Sequence, residues 1–207
     1  MTHFRGKILA CALLMFAASV ALAQATPQPF SSDFTTTMQN GNTTTGKWFF
    51  SPPKMRIDIT AMGNSNNPMS MIIDGGTQTT YMLMPQQQMY IETHSNSSQM
   101  SPGISSLRQL GSGDPCAGQS NVTCKKLGTE TVNGRTCDKW EGTNKDSGKT
   151  SIFWIDQKLH FPIKAQQPNG IEVNFTNIKE GAPDASLFKV PEGYRPFDPA
   201  ALGGRKK

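Results

Sequence analysis

Residues 46 to 93 alternate apolar and polar side chains with period two, and this pattern constrains the fold more than any other part of the 207-residue chain. GKWFFSPPKMRIDITAM is followed by MSMIIDGGTQTTYMLMPQQQMYIET, where Pro52-Pro53, Asp74-Gly75-Gly76 and Pro85-Gln86-Gln87 mark bends. A strand sends successive side chains to opposite faces, so a period of two buries one face of a sheet. The stretch reads as four consecutive strands of an antiparallel meander. After Pro53, Met55, Ile57, Ile59 and Ala61 share one face, with Arg56, Asp58 and Thr60 on the other. Met69, Met71 and Ile73 repeat the pattern, and Tyr81 to Met84 and Met89 to Ile91 form two further short apolar runs.

Similar signals flank this stretch. Phe30 to Met38 is rich in β-branched Thr and ends at Asn40-Gly41-Asn42, which marks a first strand turning into a second at Thr43 to Phe50. Leu127 to Val132 and Arg135 to Gly142 form a hairpin about Asn133-Gly134. Ser151 to Asp156 is a strongly apolar strand, and Pro162 to Ala165 pairs with Gly170 to Ile178 around Pro168-Asn169-Gly170. Asp184 to Phe188 has the length of one helical turn. About ten strands against one or two short helices assign an all-β class. Residues 95 to 123 interrupt the pattern with Ser, Asn, Gln, Gly and Pro. Their one apolar patch, Ile104, Leu107 and Leu110, has helical spacing and suits either a lid or a surface excursion.

At the N-terminus, Arg5 and Lys7 precede an apolar run from Ile8 to Leu22 and the small-residue site Ala21-Leu22-Ala23. This is the layout of a secretory signal cleaved before Gln24. The expected organisation is a signal peptide over 1 to 23, a single β-rich domain over 24 to 195 and a loose tail over 196 to 207. Periplasmic or secreted location follows, without an integral membrane span after cleavage, because the apolar run is shorter than the ~20 residues a spanning helix needs.

Losing Arg5 and Lys7 lowers the formal net charge from +5 to about +3. The only dense basic run is Arg205-Lys206-Lys207, with no interleaved aromatics, so nucleic acid is not an expected partner. Cys116, Cys124 and Cys137 remain in the exported chain. Cys116 and Cys124 close a short loop suited to a disulfide. A two-residue turn at Asn133-Gly134 sets Val132 opposite Arg135 and Cys137 opposite Glu130, which leaves Cys137 over. The mature chain has no CxxC and two histidines, His94 and His160, so neither a metal site nor a cofactor is expected. The absence of a G-x-S-x-G sequence and the scarcity of His argue against an enzyme. Of 11 methionines, all but Met1 and Met15 follow the leader, most of them on the strands. Met fills irregular apolar space and adapts to varied partners, which suits a container better than a copper site.

The order GKWFFSPPKMRIDI, IIDGGTQTTYMLMPQQQMY and SIFWIDQKLHFPIKAQQPNGIEVNFTNIKEGAPDASLFKVPEGY resembles the superfamily of periplasmic lipoprotein carriers, the LolA-like proteins, and within it the DUF4412-type branch. The resemblance implies an antiparallel unclosed β-barrel holding acyl chains between a concave sheet and covering helices. It also singles out Arg56 by position. Gln24 to Gln28 leads almost directly into a strand, where such carriers begin with an amphipathic helix.

These readings converge on a lipid or acyl-chain ligand held against the Met- and Ile-lined strands. The expected contacts are Met55, Ile57, Met69, Met71, Tyr81, Leu83, Ile91 and Trp154, with Arg56 at the head group or paired to Asp58 or Glu92. Since Arg56 alternates with Met55 and Ile57, one face or the other lines the cavity unless the strand bulges. The competing reading is an interaction module that binds an envelope protein through a sheet edge or loop.

Overall fold

A computed structural model describes residues 27–63, 67–94 and 119–198. The expected signal peptide, the Ile104 to Leu110 helix and Cys116 lie outside these residues. In chain order the strands are β1 (Phe30–Thr37), β2 (Thr43–Ser51), β3 (Lys54–Met62), β4 (Met69–Asp74), β5 (Thr79–Met84) and β6 (Met89–His94). They continue with β7 (Val122–Val132), β8 (Arg135–Asn144), β9 (Thr150–Asp156), β10 (Phe161–Gln166), β11 (Glu172–Glu180) and β12 (Arg195–Pro196), with a 3-10 turn at Ala185–Phe188 before β12. Residues 46 to 93 thus carry parts of five strands rather than four, because the two short runs at Tyr81 and Met89 are separate strands.

Among the described residues, twelve strands lie in one sheet, in the order β12-β6-β5-β4-β3-β2-β1-β11-β10-β9-β8-β7. Every pairing is antiparallel except β12 with β6. The outermost strands, β7 and β12, do not pair with each other, so the curved sheet remains the unclosed barrel that the sequence led us to expect. Its two halves join where β1 meets β11, with Phe34 opposite Phe175. Register shifts in the β1–β11, β2–β3, β7–β8 and β9–β10 pairings bend the strands and increase local twist.

Local chemistry accounts for the turns. Asn133 and Gly134 both have positive φ, 51° and 76°, as a two-residue I′ hairpin requires. The resulting register puts Val132 opposite Arg135 and Cys137 opposite Glu130. Asp184 caps the 3-10 turn by accepting from the Ser186 N–H at 2.8 Å. Gly46 is required by packing. A Cβ there would lie 2.0 Å from the Asp58 carbonyl oxygen and 2.8 Å from the Phe34 ring.

Inside the curve, Phe30, Phe34, Trp48, Phe161 and Phe175 are buried together with Leu159 and Ile163. Phe161 is the hub, with ring centroids 5.0 Å from Phe30, 5.5 Å from Phe175, 5.8 Å from Phe50 and 6.0 Å from Trp48. Tilted and edge-on pairs at these separations add favourable quadrupole contacts to the area they bury.

The outer face is covered in two places. The 3-10 turn packs over β3 and β4, where Ile72, Leu83 and Phe188 are buried. Beyond it, the Phe197 N–H donates to the Tyr90 carbonyl at 2.7 Å, so hydrogen-bonded chain extends into the stretch from 196 expected to be a loose tail. The β7–β8 turn also folds back. Asn133 Nδ2 donates to Asn174 Oδ1 at 2.9 Å and to the Phe175 carbonyl at 2.7 Å. Among the described residues, no helix is long and apolar enough to cross a membrane.

Candidate functional site

The inner face opens into a hollow of about 440 Å³ bounded by Phe34, Trp48, Ile57, Ile59, Phe153, Phe161, Val173 and Phe175. This is the size of a small-ligand site. Met38, Pro162 and Ala165 complete its apolar wall, and Thr36, Thr44 and Gln167 are its only polar members among the described residues. No charged side chain, histidine or thiol among those residues lines it. The wall can therefore exclude water from an apolar group.

Cross-strand register explains how this wall is assembled. Ile91 opposes Met82, Met82 opposes Met71, Met71 opposes Ile57 and Ile57 opposes Trp48. Directly opposed residues project from the same face, so one apolar ladder runs from β6 across to β2 and into the hollow. Met69 joins it opposite Ile59, and Met55 is buried in the adjoining core. Of the contacts expected from sequence, Met55, Ile57, Met69, Met71 and Ile91 share this inner face, and Ile57 reaches the hollow itself.

The other four do not. Arg56 opposes Ile72, which opposes Tyr81, and this row lies on the outer face. Leu83 alternates with Met82 and falls on the same side as Tyr81. Arg56 is engaged there, its Nε donating to Asp58 at 2.7 Å and its Nη1 to the Leu187 carbonyl at 2.9 Å. Trp154 alternates with Phe153, and only Phe153 lines the hollow. The Trp154 ring lies beneath the ammonium groups of Lys139 and Lys164, 5.1 and 5.2 Å from its centroid, and its Nε1 donates to Glu130 at 2.7 Å. The period of two that placed Met55 and Ile57 inside necessarily placed Arg56 outside, as β3 has no bulge between them.

Phe34, Trp48, Phe153, Phe161, Val173 and Phe175 escaped the sequence reading. Each sits in a run recognisable as a strand, and Phe30-x-x-x-Phe34 and Trp48-x-Phe50 share the spacing of one face. Their convergence depends on the β1–β11 pairing, which joins segments far apart in the chain.

The ion pairs of the sheet lie outside the lining of the hollow. Asn177 and then Lys47 hydrogen-bond the Asp33 carboxylate and hold it below the usual carboxylate range. Arg135 bonds both Asp156 and Glu180, and these ions join β8, β9 and β11. Among the described residues no group of three His, Cys, Asp or Glu is placed to hold a metal. Cys137 is a buried free thiol, and Cys124 is disulfide-bonded.

The family model described as a domain of unknown function, DUF4412, matches residues 32–160. No curated protein matches the chain. An uncharacterized conserved protein from Thermus thermophilus shares the fold with TM-score 0.55 and 8% identity, over 83% of this chain and 90% of that one. A chain of the Pseudomonas aeruginosa MucA/MucB complex aligns with TM-score 0.50 and 18% identity over 78% of this chain, which spans only 55% of it. The LolA superfamily protein NE2245 from Nitrosomonas europaea aligns at TM-score 0.32 and 13% identity, over 81% of this chain and 91% of that one, a likeness too weak to support an argument. At such identities the solved structures speak to fold alone.

Proposed function

The chain belongs to the DUF4412 family, and from that premise we propose that it is an exported, non-enzymatic protein that binds a fatty-acyl or lipoprotein-derived chain in the concavity of its curved sheet. The observation that carries this reading is the uncharged aromatic and aliphatic wall around about 440 Å³. At ~25 cal/mol per Å², burying about 300 Å² of ligand contributes roughly 7 kcal/mol before the loss of ligand freedom is subtracted. The Met71 and Met82 ladder lets the wall repack around chains of different shape.

In this proposal the leader over 1 to 23 is removed, the mature chain starts at Gln24 in the periplasm or outside the cell, and Cys124 pairs with Cys116. The pairing is supported by the disulfide bond on Cys124 and the burial of Cys137 as a free thiol. Titrating delipidated protein with a fluorescent fatty acid tests the function. Saturable binding, competed by unlabelled fatty acid, is expected, and its absence would overturn the carrier reading.

A second reading rests on β7, an edge strand of 11 residues with largely exposed side chains. Such an edge can accept a strand from another protein. The Pseudomonas aeruginosa relative in fold is itself described as a complex of two proteins. Native purification with a stoichiometric protein partner and no extractable lipid would favour this interaction module over the carrier.

A further inference from the structure

Trp48 lines the hollow and is 5% exposed, yet among the described residues its indole Nε1 has no hydrogen-bond partner. Directly opposite it in the β1–β2 register stands Ser32, also 5% exposed, whose hydroxyl is likewise unpartnered. Buried donors left unmade are rare because the loss of water is uncompensated. Here two occur on one cross-strand pair, of which Trp48 lines the otherwise almost wholly apolar cavity and Ser32 stands across the strand pair from it without lining it. The indole is also held in place. Phe34 and Phe175 meet it edge-on at 83° and 85°, and Phe161 packs at 6.0 Å. The third unpartnered group, Trp140 Nε1, lies beyond Phe153 on β8 and does not line the hollow.

We propose that the hollow selects amphiphiles with an acyl carbonyl, whose oxygen accepts hydrogen bonds from Trp48 Nε1 and the Ser32 hydroxyl while the hydrocarbon chain lies along the Ile57 and Met71 ladder. This rests on the carrier reading and goes beyond it by naming the polar group that the site recognises. A carbonyl oxygen carries two lone pairs and satisfies both donors at once. An alkane of equal length fills the same space and leaves both unmade. The preference comes from the sheet itself, without a charged head-group clamp.

Dodecane, methyl laurate and lauric acid are compared as competitors for a bound fluorescent naphthalene sulfonate on the delipidated mature protein. Ester and acid are expected to compete about fivefold or more better than the alkane. In Trp48→Phe, which keeps an aromatic ring but loses the N–H, that ratio falls toward one, and Ser32→Ala reduces it in part. In protein labelled with 15N at its three tryptophans, methyl laurate moves the Trp48 indole N–H resonance downfield and dodecane does not. Trp154, whose N–H already donates to Glu130, serves as the internal reference. Equal competition by alkane and ester, or an unchanged ratio in Trp48→Phe, would overturn the carbonyl site while leaving the apolar carrier intact. Failure of all three competitors would overturn both.

Discussion

Arg56 Nη1 donates to the carbonyl of Leu187 at 2.9 Å, binding β3 to a turn 131 residues later in the chain. The same guanidinium is paired with Asp58. It therefore fastens the C-terminal segment to the outer face while the alternate residues of β3 face the hollow. Arg56→Ala leaves a partly buried carbonyl and a carboxylate without this donor. The expected loss is about 1–3 kcal/mol of stability. Hydrogen exchange in residues 185 to 198 should accelerate, with fatty-acid binding preserved. Unchanged exchange there would show that the contact does not hold the segment.

Phe161 is 1% exposed and touches four other aromatic rings. Phe161→Ala is expected to cost about 3–5 kcal/mol, because lost transfer energy and a residual cavity add. For a domain of this size that lowers the thermal midpoint by about 10 °C. Urea unfolding with matched slopes measures the effect, and a loss below about 1 kcal/mol would contradict a central role for the ring.

Ala165 is a small residue in the wall of the hollow. Ala165→Phe places a ring where the ligand chain is proposed to lie, on a partly exposed position with room to accept it. The fatty-acid affinity should fall at least about tenfold, equivalent to about 1.4 kcal/mol, while far-UV circular dichroism is unchanged. Undiminished affinity in the folded variant would move the binding site elsewhere.

Acid should unfold the protein through identifiable carboxylates. The Gln166 hydrogen bond to Glu172, joined by Lys164, outweighs burial and holds its carboxyl below the ordinary range. Lys158 and then Arg135 do the same for Glu180. Burial pushes Asp74 up, but Lys54 and the Thr77 and Gly76 N–H groups outweigh it. A depressed folded value means the folded state binds fewer protons, so this stability is present above the unfolded values near pH 4 and disappears as pH falls through the folded ones. The urea midpoint should hold between pH 7 and 5 and drop below about pH 4. A midpoint flat to pH 2 would contradict the assignment.

Burial first, then the nearby Asp156 charge, pushes the Cys137 thiol up to about 11. At pH 8 the folded protein is expected to resist thiol reagents, and denaturant without reductant should reveal one reactive cysteine in the mature chain. Between about pH 8.5 and 11 the unfolded chain loses this proton while the folded one keeps it, so stability from this group declines with rising pH. Rapid labelling of the native protein at neutral pH would show that the site opens.

Local chemistry made much of this architecture legible. Asn133-Gly134 defined a turn, and the turn defined the opposition of Glu130 and Cys137. Alternation from Met55 to Ile59 separated an apolar face from a polar one, and the same rule put Met69, Met71 and Ile73 on one face of the next strand. Alternation left one matter open, namely which face becomes the inside. Alternation by itself set Arg56 apart from Met55, whereas Tyr81 was grouped with Met55 because its short run carries large side chains on both faces, and its side follows only from the cross-strand register Arg56–Ile72–Tyr81.

What the sequence determined by itself was strand identity, turn position and the all-β class, since backbone alternation and turn-residue conformation act over a few residues. Only the tertiary structure decided that Phe34 meets Phe175, that Trp48 and Ser32 face each other with unmade hydrogen bonds, and that the 3-10 turn covers the outer face of β3. Those relations depend on how far the sheet curls before its edges stop pairing. The curl is set by bulges and by aromatic packing between segments far apart in the chain, which no local window of residues contains.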